Sequence, residues 1–367
     1  TWTTVMQQIE AGKLNPEVDL NQYLQAFKIP AGFDKPVTMN HLMTHSAGFE
    51  DRIIGLFARG PDRLAPLETL LASDLPARIR PPGRIAAYSN HGSALAGYIV
   101  EQLSGMKWEE YVGRKILQPL EMTATTVKQP VPNHLKENLA HGYAWENGRL
   151  VQKGFEYVPL SPAGAASATA GDMARFMIAF LQAGRLGEER ILKEPAVRRM
   201  FTTLFTHDPR LPGSGSGFLL NRFNGEEVAG HGGDTFYFHS MLLLLPDRDT
   251  GLFVSYNSDQ GSRARRDLIR LFFNRYFPSS VEERHPALQG FEQRLAKITG
   301  TFRSTRRVET TIAKIAELFS TVRIRPGKAG EIELHRRSEV EFWKEVQPFV
   351  FRNKKTGEKL LFKIGDP

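Results

Sequence analysis

A short segment near the first third of the chain carries side chains suited to acyl-transfer chemistry. Tyr88-Ser89-Asn90 follows a Pro-Gly pair and precedes an apolar helical pattern. A tyrosine hydroxyl beside a buried lysine can act as base or proton shuttle for a serine nucleophile. An asparagine amide can donate to a substrate carbonyl and accept from that lysine. Taken alone, the segment is equally an ordinary loop with a half-buried tyrosine.

A second segment, rich in glycine, lies far downstream. His231, Gly232, Gly233, Asp234 and Thr235 follow a predicted hairpin, and the pattern places them at the start of a strand. Two glycines let a substrate backbone approach the strand edge closely. The backbone N–H of Asp234 would then point at a developing oxyanion, and His231 would hydrogen-bond a substrate carboxylate or the upstream tyrosine. The alternative is a β-bulge with an incidental histidine.

Both segments resemble active-site motifs of one enzyme superfamily. The phrase from Pro82 to Asn90 closely resembles the second motif of class C β-lactamases and their relatives, and His231-Gly232-Gly233 resembles their third. Phrases at 42–49, 118–122 and 162–176 are similar to further stretches of that superfamily and are predicted to be structural rather than catalytic. From Thr1 to about Phe277 the chain therefore resembles the serine β-lactamase/D-alanyl-D-alanine peptidase superfamily.

The first motif of that superfamily, Ser-x-x-Lys, has no credible counterpart in this sequence. The one match, Ser104-Gly105-Met106-Lys107, lies after Tyr88 and at a predicted helix end. The superfamily places its nucleophile upstream, at a helix N-terminus whose dipole favours an ionised serine oxygen. Ser104 is therefore predicted not to be the nucleophile. Because the residues from Thr1 resemble those that follow the catalytic lysine, we expect Ser-x-x-Lys to end immediately before Thr1.

The resemblance implies a serine hydrolase that works through an acyl-enzyme. The absent serine would attack a carbonyl, the absent lysine and Tyr88 would move protons, Asn90 and His231 would position the substrate, and Asp234 would help to hold the oxyanion. The residues expected to line the substrate are Ser89, Gly232, Gly233 and Thr235.

The implied substrates are β-lactams, D-amino-acid peptides or small esters, and no metal or organic cofactor is implied. A histidine in place of the usual lysine of the third motif favours peptidase or esterase roles over true β-lactamase activity. Such wall-related substrates imply export to the periplasm or another extracytoplasmic location. The alternative function is a non-catalytic binding or scaffold protein on the same fold, which an absent nucleophile would favour in a complete chain.

The apolar patterns predict an α+β fold in which helices come first and a helix packs on a later antiparallel sheet. This is the β-lactamase/transpeptidase-like arrangement of a sheet flanked by helices plus an all-helical region. Helices are predicted from residue 2 to Gly12, over 38–43, 93–103 and 108–117, from a cap at Thr169 or Asp172 to Gly184, and over 263–277. A hairpin at Asn224-Gly225 and strands over 236–245 and 252–256 complete this part. The last helix is predicted to bury Leu268, Ile269, Leu271, Phe272 and Tyr276.

The length of 367 residues indicates one large domain and a smaller one. Residues 1–278 are predicted to form the hydrolase-like domain without its N-terminal part, 279–287 a linker, and 288–367 a small β-rich domain that is expected to be incomplete. Strand-like pieces are predicted at 301–302, 322–324, 331–334, 349–351 and 360–364.

The positive charge is concentrated in the last part of the chain. From Arg263 onward there are 23 Lys and Arg against 13 Asp and Glu, whereas the whole chain carries 48 against 40. This basic part could contact an anionic surface, and a solvated face without a partner is the alternative. Nucleic-acid binding is not expected, because glutamates interrupt the basic residues and no motif is present.

The absence of cysteine excludes disulfides and thiolate catalysis. A zinc site at His41 and His45 is not expected, because no glutamate follows the first histidine.

Overall fold

The structure is a computed structural model that describes residues 1–278, 287–319, 321–328, 330–336 and 339–365. The predicted linker at 279–287 lies outside the described residues except for its last position.

The first part of the chain is predominantly helical and is built around one buried helix. Its helices are α1 (Trp2–Glu10), α2 (Met39–Met43), α3 (Leu67–Ser73), α4 (Asn90–Ser104), α5 (Trp108–Val112), α6 (Asn133–Lys136), α7 (Ala170–Leu181) and α8 (Glu194–Phe201). Helices α1, α2, α3 and α5 all contact α4. A Cβ at Gly97 of α4 would lie 2.4 Å from Pro162 Cγ, so only glycine lets the 161–163 turn pack directly on this helix.

One helix boundary differs from the prediction, and a second shows which of two predicted caps is used. Helix α4 begins three residues earlier than expected, because Ser89 caps it by accepting the Gly92 N–H at 3.0 Å. Helix α7 begins after Thr169, which accepts the Asp172 N–H at 3.2 Å, so Thr169 is the cap and Asp172 lies inside the helix.

A four-stranded antiparallel sheet in the order β5-β6-β7-β8 follows the helical part. Its strands are β5 (Leu219–Phe223), β6 (Glu226–Asp234), β7 (His239–Leu245) and β8 (Thr250–Tyr256), and two short hairpins precede it, β1 (Gly142–Glu146) with β2 (Arg149–Lys153) and β3 (Arg185–Leu186) with β4 (Glu189–Arg190). The run 231–234 was expected at the start of a strand, and the structure corrects this. It forms the end of β6, because the ladder with β7 continues through the glycines to the pair Asp234–His239.

Helix α9 (Gly261–Tyr276) packs on β7 and β8. Two of the residues predicted to be buried on it are exposed, Leu271 at 58% and Tyr276 at 67%. The row that faces the sheet is Arg265, Ile269 and Phe273, which are four residues apart and therefore lie on one face. The prediction took the apolar residues of the helix as buried and did not identify which row of side chains faces the sheet.

The C-terminal part has a core of its own, formed by a helix on an antiparallel sheet. Helix α10 (Phe291–Ile298) packs on the meander β9 (Gly300–Arg303), β10 (Thr321–Pro326), β11 (Glu331–Arg336), β12 (Glu339–Gln347), β13 (Val350–Asn353) and β14 (Lys359–Leu361). Strand β12 was not predicted. The apolar pattern of this strand is interrupted by Glu345, a fully buried carboxylate that accepts hydrogen bonds from Arg294 at 2.8 and 2.7 Å. Within the described residues, no helix is both long and apolar enough to cross a membrane.

Candidate active site

Tyr88 is held in place by backbone contacts on both of its sides. The Ala87 N–H donates to the His45 carbonyl at 2.8 Å, and the Ser89 N–H donates to His45 Nδ1 at 3.2 Å. The His45 and Tyr88 rings lie 4.2 Å apart between centroids. His45 itself has a φ of 52°, a left-handed conformation that histidine adopts more readily than most residues. The residue that brackets Tyr88 therefore comes from the phrase expected to be structural.

Strand β6 brings His231 to the same place. The ring centroids of Tyr88 and His231 are 5.9 Å apart. His231 Nδ1 lies 2.6 Å from the Gly232 carbonyl, and because a carbonyl can only accept, this nitrogen carries the proton. Burial lowers the pKa of His231, so the ring is neutral near pH 7 and its Nε2 is a hydrogen-bond acceptor.

Burial also determines the protonation of the neighbouring groups. It raises the pKa of Tyr88, so the phenol keeps its proton at neutral pH, and it lowers the pKa of His45 to about 3. The Trp2 ring lies edge-on to His45, with centroids 6.1 Å apart, so the start of α1 lies beside this cluster. Neutral side chains that can donate or accept a proton thus gather where α1 and β6 meet the Tyr88 loop.

The remaining residues of the second motif have different environments. Asn90 is the first residue of α4 and is half-buried. Ser89 is 5% exposed, and its hydroxyl accepts the Gly92 N–H. The Ser89 hydroxyl therefore caps α4, and its predicted contact with substrate stays a prediction.

The side chains that end the third motif are engaged within the protein. Asp234 pairs with Arg265 at 3.0 Å and with His239 at 2.6 Å. The Thr235 hydroxyl donates to Glu156 at 2.6 Å. These contacts fix the turn that joins β6 to β7. The predicted roles of the Asp234 backbone in holding an oxyanion and of Thr235 in contacting substrate stay predictions.

Residues 231–234 of β6 present an open strand edge. Strand β5 pairs with β6 only as far as Gly230, whereas β7 pairs with it to Asp234. Within the described residues, the stretch 231–234 is therefore hydrogen-bonded on one side. Gly233 is exposed and Gly232 half-buried, so an extended chain can approach this edge without meeting side chains.

The one Ser-x-x-Lys of the sequence lies at the opposite end of α4. Ser104 is the last residue of that helix, about 21 Å from Asn90 along the helix axis at 1.5 Å per residue. Its hydroxyl accepts the Met106 N–H at 3.3 Å, and Lys107 lies 3.9 Å from Glu101. This geometry supports the prediction that Ser104 is not the nucleophile of a site at Tyr88.

Sequence reasoning missed one further neighbour of Tyr88. The guanidinium carbon of Arg306, from the C-terminal part, lies 5.1 Å from the centre of the Tyr88 ring. No local signal marks this residue, because it stands in a basic stretch where many arginines are solvated.

The fold and the site together define a class of protein, that of the serine β-lactamases and penicillin-binding proteins. A helical region, an antiparallel sheet with helices against it, and the approach of the second and third motifs all agree with this class. The family model described as Beta-lactamase matches residues 1–273. The chain therefore belongs to the beta-lactamase family, a family of serine hydrolases, and the predicted resemblance is confirmed.

Similar proteins agree with this assignment. Protein flp from Staphylococcus aureus (strain N315) is 23% identical over 349 residues, which cover 93% of this chain and 66% of the staphylococcal protein. The chain thus spans slightly less than two thirds of that relative's length.

Two solved structures show the fold. The octameric penicillin-binding protein homologue from Pyrococcus abyssi superposes with a TM-score of 0.64 at 21% identity, covering 99% of this chain and 82% of that one. A D-stereospecific amidohydrolase from Streptomyces sp. has a TM-score of 0.56 at 22% identity, covering 76% and 84%. The predicted α+β fold, including its C-terminal β-rich part, is confirmed.

Proposed function

We propose that this chain forms most of a serine hydrolase that acts through an acyl-enzyme on D-amino-acid peptides, small esters or β-lactams. The observation that carries the proposal is the approach of Tyr88 to His231 beside the start of α1. Two motifs that are far apart in sequence supply neutral proton-transfer groups to one place. The histidine of the third motif favours amide or ester substrates, as does the likeness to an amidohydrolase that is D-stereospecific.

The proposed mechanism assigns a task to each group. A serine from a Ser-x-x-Lys that precedes Thr1 attacks the acyl carbon, and its proton passes to the neutral lysine, directly or by way of Tyr88, which gives its own phenol proton to that lysine as it takes the one from serine. The bond to the amine or alcohol then breaks, this leaving group takes up the proton, and water hydrolyses the acyl-enzyme. His231, with Nε2 as acceptor, orients the substrate, and Asn90 donates to its carbonyl. The open edge at residues 231–234 pairs with the substrate backbone as an added strand. The Asp234 N–H helps to hold the oxyanion.

The test uses the longer protein that includes the expected upstream motif. We expect intact-mass spectrometry to detect an acyl adduct, and turnover of a p-nitrophenyl ester or a D-amino-acid anilide to exceed that of a chromogenic cephalosporin. Tyr88→Phe keeps the ring and removes the hydroxyl, and it should lower kcat/KM by about 10²–10⁴-fold. The control, Ser104→Ala, should leave turnover unchanged.

Two results would overturn parts of this proposal. A longer protein that neither turns over nor is acylated would favour the binding or scaffold role. Hydrolysis by the 367-residue chain that Ser104→Ala abolishes would make Ser104 the nucleophile. Export to an extracytoplasmic location belongs to the same proposal and rests only on the class of substrate.

A further inference from the structure

The chain that follows β9 crosses from the C-terminal sheet to the loop beside the active site. We call residues 304–311 the strap. The Glu309 and Thr310 N–H groups donate to Glu50 Oε2 at 2.8 and 2.9 Å, and the Thr310 hydroxyl donates to Glu50 Oε1. Glu50 is 1% exposed. A carboxylate so deeply buried needs these donors, so the contact is a built one rather than a surface encounter.

Two more contacts tie the strap to Asp51 and to the chain just before Tyr88. The Asp51 N–H donates to the Arg307 carbonyl at 2.9 Å. The Thr305 hydroxyl donates to the carbonyl of Ala86, two residues before Tyr88, at 3.1 Å. These bonds leave Arg306 between Asp51 and the tyrosine ring.

Arg306 has one anionic partner and one aromatic partner. Its Nε donates to Asp51 Oδ2 at 2.7 Å, and its guanidinium carbon lies 5.1 Å from the centre of the Tyr88 ring. The Asp51 side chain is 8% exposed and that of Arg306 is 42% exposed. A cation held over a ring at this distance attracts its π-face and so restricts how the ring can turn.

The charges that face Tyr88 come from several elements. His45 and His231 are neutral near pH 7, because burial lowers the pKa of each. Arg306 and Asp51 are the charged groups among the described neighbours, and they act in opposite directions. A nearby cation favours the phenolate, and a nearby carboxylate opposes it.

We propose that Arg306 is a positioning residue of this site, delivered by the C-terminal domain to fix the Tyr88 ring and to assist its loss of a proton. The inference rests on the proposed function in giving Tyr88 a task in catalysis. It also makes that task depend on a docked C-terminal domain, because Arg306 lies in the strap that Glu50 and Asp51 hold beside the ring.

The experiment measures the titration of Tyr88 directly, in the 367-residue chain. Tyrosine is replaced by 3,5-difluorotyrosine, whose more acidic phenol titrates while the protein is folded, and the Tyr88 signal in the fluorine NMR spectrum is identified by its loss in Tyr88→Phe. Arg306→Gln should move this titration to higher pH, and Arg306→Lys should lie between Arg306→Gln and the unaltered protein. Asp51→Asn should move it to lower pH. The control is Arg303→Gln, an exposed arginine of β9, which should leave it unchanged.

Opposite shifts are the decisive result, because a general loosening of the strap would move both variants in the same direction. Shifts of the same sign, or no shift in Arg306→Gln, would overturn the inference. In the longer protein, Arg306→Gln should also displace the rising limb of kcat/KM to higher pH. If that protein hydrolyses nothing, the proposed function fails while the NMR titration still decides the role of Arg306.

Discussion

At the scale of single residues, buried histidines connect this site to the pH dependence of stability. His91 is 3% exposed and lies edge-on to Phe49, with ring centroids 5.6 Å apart. Burial lowers the pKa of His91 to about 3, and that of His45 to about 3 as well. Below pH 6.5 the unfolded chain binds protons at these rings and the folded chain does not, so stability falls as the pH falls from about 6.5 toward 3.

Replacing His91 with phenylalanine should reduce this pH dependence. Each buried histidine contributes a slope of at most ~1.4 kcal/mol per pH unit between the two pKa values. Urea unfolding of His91→Phe between pH 6 and pH 4 should therefore show a shallower fall in the free energy of unfolding. His134→Gln, at an exposed position, is the control and should keep the slope of the unaltered protein. An unchanged slope in His91→Phe would contradict the assignment.

At the scale of elements, the start of α4 joins a structural role to the second motif. Ser89 caps the helix, Tyr88 precedes the cap, and Asn90 is the first helical residue. The cap therefore sets the direction in which the chain enters the helix and leaves Tyr88 in the loop. The same cap fixes the backbone position of Asn90, directly after Tyr88 and Ser89.

Replacing Ser89 with alanine should cost about 1 kcal/mol of stability, because the Gly92 N–H loses its acceptor. Chemical unfolding measures the loss, and Ser89→Thr, which keeps a hydroxyl, should recover most of it. If Ser89 instead contacts the substrate, Ser89→Ala will raise KM in the longer protein and leave the free energy of unfolding unchanged.

At the scale of the whole molecule, a buried carboxylate joins the two parts. Burial by itself raises the pKa of Glu50, but the bonds from Thr310 and Glu309 and the nearby Arg52 outweigh it, so the pKa lies below its ordinary value. The contribution of the Glu50 carboxylate to stability is therefore fully present above about pH 4.5, and it is lost as the pH falls through the lowered pKa of Glu50.

Glu50→Gln should loosen the strap without unfolding either core. An amide has one uncharged acceptor oxygen, so the bonds from the Glu309 and Thr310 N–H groups lose their charge assistance, and the Thr310 hydroxyl meets an NH₂ in place of an acceptor. Hydrogen exchange at these two amides should accelerate by about 10–100-fold, or ~1.4–2.8 kcal/mol. Glu309→Gln removes only a partly exposed pair with Arg307 and should not change this exchange. Equal exchange in both variants would show that Glu50 does not hold the strap.

Part of the excess of basic residues forms ion pairs within the molecule. The pairs include Arg294 with Glu345, Arg306 with Asp51 and Lys354 with Glu331. Contact with an anionic surface stays a prediction, and fewer of these charges are available for it than composition alone indicates.

Local sequence patterns determined which helices, hairpins and motifs could be predicted for this protein. The hairpin at Asn224-Gly225, the helical spacing in α1 and the motif phrases around Tyr88 and His231 each depend on neighbouring residues, so the sequence by itself predicted the fold and family. Rows of buried residues were less predictable. Which face of α9 meets the sheet depends on the partner surface. Glu345 in β12 is tolerated because Arg294 and the Phe349 N–H both donate to its carboxylate.

Only the tertiary structure decided which distant residues meet Tyr88. His45 and Arg306 lie far from it in the sequence, and neither carries a local signal of its role. Arg306 reaches the ring because the strap crosses to Glu50 and Asp51, and those contacts form only when both parts of the chain have folded. Periodicity and turn chemistry act over a few residues, whereas the charges around a site are set by contacts between elements that the sequence does not place side by side.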